Sequence, residues 1–216
     1  MKSALDKVRE TPQSTKARIL LAAQEVFAAR GFDGASTREI AGRAEVNISS
    51  LHYHWESKET LYFAVFERIY QQLVDELRDD FVRPDSAETA RALVSRAMGR
   101  TFDFFADNPD VPKLLMRRIM ESDGIDGPPE RNVMGSTWKI FSEWTRDFMG
   151  RKLSDRDVGF FMLAVETVLL VVMLDSPHVT TMLSGNVKQS QVRTRLREQM
   201  IQLVEQLVGV GAEPRR

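Results

Sequence analysis

Between Ser36 and Lys58 the sequence reads STREIAGRAEVNISSLHYHWESK, and this stretch constrains the fold more than any other. Ser36, with Glu39 three residues on, has the pattern of a capping box that starts a helix. Asn47 can cap a short helix after it, and Ser57 another that continues to about Phe81. The first two, joined by a tight turn, form a helix-turn-helix, whose second helix can be presented outward to a DNA groove.

Apolar spacing is helical along the rest of the chain, which predicts an all-α protein. A helix is expected from about Ser14 to Arg30, with Ile19, Ala23, Val26 and Phe27 on one face and Gly31 ending it. Pro84-Asp85 marks a break. Beyond it, helices are predicted near 86–106, 109–122, 129–150, 154–175 and 188–208, with loops at Asp123–Pro128 and Ser184–Asn186. The expected architecture is a three-helix N-terminal domain with a helix-turn-helix over residues 1–58, followed by a larger helical domain over 59–216.

Composition narrows the function classes. The chain has no cysteine, so disulfides and thiolate metal sites are excluded and a reducing cytoplasm is the expected setting. The N-terminal segment carries no apolar stretch of the signal-peptide kind. The most apolar window, Phe160–Leu174, contains Glu166 and is too short to span a bilayer, so no membrane partner is expected. The net charge of −1 gives no general sign of nucleic acid. Residues 1–18, however, hold five basic side chains against Asp6 and Glu10. Such an arm fits either phosphate contact or a solvated terminus.

Side-chain directions decide what the helix after Asn47 can touch. At about 100° per residue, Ile48, Ser49, His52 and Tyr53 share one arc, while Leu51 and His54 lie opposite. Leu51 can join Ile40, Ala44 and Val46 in a small core. The arc then offers a methyl-bearing side chain, a hydroxyl, an imidazole and a phenol, all suited to base edges or phosphates in the major groove. An ordinary surface helix is the alternative that geometry alone leaves open. His52 and His54 cannot chelate one ion, because residues two apart on a helix point about 200° from each other. No metal and no cofactor are expected. No nucleophile triad, phosphate loop or paired carboxylates stand out, which argues against an enzyme.

The stretch from Thr15 to Ile69 resembles the N-terminal domain of the TetR family of transcriptional regulators. The resemblance rests on Ile-Leu-x-Ala-Ala, Phe-x-x-x-Gly-Phe, Thr-x-Glu-Ile-Ala, Val-x-x-x-x-Leu-x-Tyr-His and Ser-Lys-Glu-x-Leu, in order and correctly spaced. It implies that Ile48, Ser49, Ser50, His52 and Tyr53 contact bases or adjacent backbone. It further implies that Thr37, Arg38, His54 and Lys58 bind phosphates. Glu45 stands where the family usually has glycine, Ser49 where glycine or proline is more usual, and His52 where tyrosine is common. The resemblance implies a homodimer on a palindromic double-stranded DNA operator, most simply a ligand-responsive repressor. A helical ligand-sensing or partner-binding protein with a degenerate DNA head is the alternative.

In the C-terminal part, Phe102, Phe105, Met116, Met120, Trp138 and Phe141 are candidates to line a cavity for a small apolar effector, or to pack a core. Glu166 interrupts an apolar run and needs a partner or a proton there. The helices near 154–175 and 188–208 carry apolar faces suited to a four-helix bundle with a second copy.

Overall fold

The computed structural model describes residues 14–81, 86–120, 138–147 and 153–208, and the described residues are helical with no strand among them. In chain order the helices are α1 (Thr15–Gly34), α2 (Thr37–Arg43), α3 (Ile48–His54) and α4 (Lys58–Glu76). A 3-10 turn (Arg78–Asp80) follows, then α5 (Ala87–Asp107), α6 (Asp110–Met120) and α7 (138–147). The chain continues with α8 (Asp155–Met173), α9 (Pro177–Leu183) and α10 (Ser190–Val208). The loop expected at 123–128 and the ends of the helix expected at 129–150 lie outside the described residues. Helix α9 was not signalled by apolar spacing. A local device makes it: Ser176 accepts from the Val179 N–H, and Pro177 occupies the first turn, where its missing N–H costs nothing.

The chain divides into two compact units, Met1–Gln72 with Lys113–Val133, and Leu73–Pro112 with Met134–Arg216. The first unit thus takes most of α6 as well as α1–α3 and the greater part of α4. Its core is built from Ile19, Leu20, Ala23 and Phe27 of α1, Ile40 of α2, Leu51 of α3 and Leu61, Tyr62, Val65 and Ile69 of α4, all buried. Tyr62 is the hub of an aromatic cluster, edge-on to Phe27 (4.9 Å), Phe32 (5.1 Å) and Phe66 (4.9 Å between ring centroids). Burying each such side chain contributes about 1.5–3 kcal/mol.

In the second unit a buried polar knot ties three elements together. Asp80 has no exposure and pairs with Arg96 and, at 3.5 Å, with Arg100 of α5. Trp144 of α7 donates its indole N–H to the Asp80 carbonyl at 2.7 Å, and Phe81 lies edge-to-face with Phe141 and Trp144. A second polar seam joins α5 to α10: Arg91 meets Glu205 at 3.0 Å, Arg193 meets Asp103 and Asp107, and Arg197 meets Asp103 at 2.9 Å. Gly99 makes room for it, since a Cβ there would collide with the Arg197 guanidinium. Hydrogen bonds from Ser95 and Arg91 hold the Glu205 carboxyl below its ordinary pKa, and Arg193 does the same for Asp107.

Helix α8 opens with a complete capping box between Ser154 and Asp157. It buries Val158, Leu169, Leu170 and Met173 on one side and leaves Phe160 (74% exposed), Leu163, Val168 and Val171 on the other. No single helix among the described residues is long and apolar enough to cross a membrane.

Candidate nucleic-acid interface

The outward helix is held by devices written into its own sequence. Ser36 accepts from the Glu39 N–H at 3.1 Å and starts α2. The reciprocal half of the expected capping box is replaced, because the Glu39 carboxylate turns to Arg30 at 3.6 Å. Helix α2 ends in a Schellman turn: Val46 N–H reaches the Ala41 carbonyl at 3.0 Å, and Glu45 N–H the Gly42 carbonyl at 3.2 Å. Glu45 takes the left-handed position of that turn, at φ 54°. Asn47 then accepts from the Ser50 N–H at 2.7 Å and starts α3.

Helix α3 buries one side and shows the other. Leu51 has no exposure, and Trp55, just past the helix end, is buried with the Lys16 ammonium 4.6 Å from its ring centroid. Ile48, Ser49 and His52 are exposed and Tyr53 is 86% exposed, so the arc expected from helical spacing faces solvent. Ser50 and His54 are half-buried, and the His54 ring sits 5.1 Å from that of Tyr53. At the start of α2, Thr37 is half-buried and Arg38 exposed. Helix α3 therefore offers apolar, hydroxyl, imidazole and phenol groups on one face, the mixture that major-groove edges can read.

Lys58 departs from the expectation of a phosphate ligand. Its ammonium is half-buried and donates to the Phe32 carbonyl at 2.9 Å and the Ala35 carbonyl at 3.2 Å, 4.2 Å from the Phe32 ring centroid. Two of its three donors are therefore committed inside the unit. Both carbonyls lie past the break in α1 at Gly31 (φ 73°), and the Phe32 carbonyl also accepts from the Ala35 N–H at 3.3 Å. Arg117 of α6 completes the cap, donating from Nε to the Ala28 carbonyl and from Nη2 to the Ala29 carbonyl, each at 3.0 Å. Arg117 is thus a long-range helix cap, for which the sequence holds no local signal.

The candidate effector residues fall in different surroundings. Phe102 and Phe105 are buried in the second unit, and Phe141 packs edge-on to Phe81. Trp138 is partly exposed and lies against Gly159 of α8. Glu166 is half-buried on α8, and burial raises its pKa. Met116 and Met120 belong to the first unit, Met116 half-buried and Met120 67% exposed.

Residues 19–65 match the family described as bacterial regulatory proteins, tetR family. The chain is 34% identical over 114 residues to the HTH-type transcriptional activator FasR of Mycolicibacterium smegmatis, covering 52% of this chain and 48% of that protein. It is 33% identical over 104 residues to the HTH-type transcriptional repressor NicS of Pseudomonas putida, covering 47% and 46%. The match thus spans about half the length of these curated relatives. The fold resembles that of a TetR-like transcriptional regulator from Rhodococcus sp. RHA1, with a TM-score of 0.63 at 20% identity over 92% of this chain and 97% of that one.

Proposed function

We propose that the chain, whose residues 19–65 match the tetR family of bacterial regulatory proteins, is an effector-responsive repressor that binds a palindromic operator as a homodimer. The observation that carries this reading is the solvent-facing arc of α3, with Leu51 buried behind it. In the reading, Ile48, Ser49, Ser50, His52 and Tyr53 enter the major groove, and Ile48 packs on a thymine methyl. Thr37, Arg38 and His54 take flanking phosphates, helped by the positive dipole end of α2. Lys58 and Arg117 hold the end of α1, and through it the pose of the two short helices.

The dimer is supported by the exposed apolar side of α8, since a second copy seated there would remove Phe160, Leu163, Val168 and Val171 from water. Two related heads then call for two inverted half-sites about one helical turn apart or a multiple of it. The reading places the protein in the compartment of its DNA, the cytoplasm. A small, largely apolar molecule held by the second unit, among Phe102, Phe105, Trp138, Phe141 and Glu166, would weaken operator binding by favouring the head spacing that does not fit.

Selection of bound duplexes from a random pool by the purified full-length protein tests this. An inverted repeat is expected to emerge, and Tyr53→Ala should weaken it by about ten-fold, roughly 1.4 kcal/mol, with an unchanged melting temperature. A pool without enrichment, or undiminished binding by the variant, would overturn the assignment of α3 as the reading helix.

A further inference from the structure

Helix α8 carries one carboxylate in the middle of its apolar run, Phe160–Met173. At about 100° per residue, Glu166 falls within about 40° of both Gly159 and Leu170 around the helix. Leu170 has no exposure, and Leu169 and Met173, its neighbours on that side, are buried as well. Glu166 therefore lies within the arc of the inward stripe, between Met173 and Leu170, and is half-buried. Two turns earlier on the same line, the Trp138 ring of α7 lies 3.4 Å from where a Gly159 Cβ would stand, so Gly159 lets an indole settle on the helix. Among the described residues no hydrogen bond or ion pair reaches the Glu166 carboxylate. Burial raises its pKa with no basic group acting against that rise.

An acid kept on an apolar inner face calls for a partner from outside the chain. A second copy is the poorer candidate. The exposed apolar side chains that would meet it, Phe160, Leu163, Val168 and Val171, sit about 60–160° around α8 from Glu166, centred near 120°. Gly159, where the Trp138 ring settles, and Glu166 share one line of α8, so a ligand lying along that line can meet both groups. We propose that Glu166 selects the effector by charge: an amphipathic cation, its apolar body against α7 and α8, its protonated amine paired with the carboxylate and open to the Trp138 ring face. The inference rests on the effector-binding reading above and names the chemical class of that effector. It excludes fatty-acid-like anions, which would set two carboxylates against each other.

The test is isothermal titration of the full-length protein and of Glu166→Gln with octylammonium, 1-octanol and octanoate near neutral pH. The wild type is expected to bind octylammonium at least about ten-fold more tightly than octanoate. In Glu166→Gln that preference should fall to within about two-fold, while octanol affinity stays the same and reports an intact fold. Equal or reversed preference in the wild type, a preference that survives in Glu166→Gln, or binding of none of the three would overturn the proposal. A variant that weakens dimerisation without changing ligand preference would assign Glu166 to the subunit seam instead. Operator binding without ligand is measured in parallel. Its retention by both proteins, with charge preference absent, sinks the effector class alone, whereas its loss in both sinks the regulator reading.

Discussion

Glu45 occupies the left-handed corner of the turn between α2 and α3, a conformation that crowds the Cβ of any residue but glycine. The Schellman bonds on either side keep it there despite that crowding. Replacing Glu45 with glycine should relieve the strain and, after the greater freedom glycine gives the unfolded chain, raise stability by roughly 0–1 kcal/mol. A thermal melt checks this, and a clear loss would mean that the Glu45 side chain makes a contact of its own. At this scale much was legible beforehand. Helical spacing separates Leu51 from Ile48, Ser49, His52 and Tyr53, and the structure buries the one and exposes the others. The fate of Lys58 was not legible, because its carbonyl partners lie more than twenty residues away and nothing local announces them.

Short helices depend on their ends more than on their middles, and α2 and α3 have seven residues each. Asn47 satisfies an orphan N–H of α3, so Asn47→Ala should cost about 1 kcal/mol, measured by urea unfolding. The cap signals at Ser36, Asn47 and Ser57 could be read directly, since each is a side chain acting three residues ahead. The closing of α1 could not, since Arg117 arrives from a helix almost ninety positions later. Arg117→Ala leaves two carbonyls without their donor and should destabilise the first unit by about 1–3 kcal/mol. Arg117→Lys should recover only part of that loss, because an ammonium lacks the planar fork that meets two acceptors together. Comparison of the two variants by chemical denaturation separates a cap from a mere surface charge, which would tolerate lysine.

For the molecule as a whole, the apolar side of α8 is a surface that the single chain leaves open to water. With a second copy seated there as proposed, Phe160→Glu should shift the protein from dimer to monomer in sedimentation, with little change in helix content, since Phe160 is already 74% exposed in the single chain. An unaltered sedimentation coefficient would remove α8 from the proposed seam. The polar seam between α5 and α10 has a pH signature. Asp107 and Glu205 have lowered pKa values, so their contribution is present above the ordinary carboxylate range and disappears as pH falls through the lowered values. Acid unfolding of the second unit should therefore begin below about pH 4, followed by circular dichroism. All-helical architecture was legible from spacing alone. The grouping of most of α6 with the N-terminal unit was not, because it follows from side chains meeting across the fold rather than from any run of residues.

The two cations at the broken end of α1 address peptide carbonyls, which carry no net charge. Dissolved electrolyte strips a protein from a duplex by competing for phosphates, and it has little hold on a donor already shielded against a neutral oxygen. The head should thus keep its shape at ionic strengths that have emptied it of DNA. The steepness of release with rising salt then counts only the side chains that face the duplex, and alanine at Lys58 should loosen the head while leaving that steepness where it was.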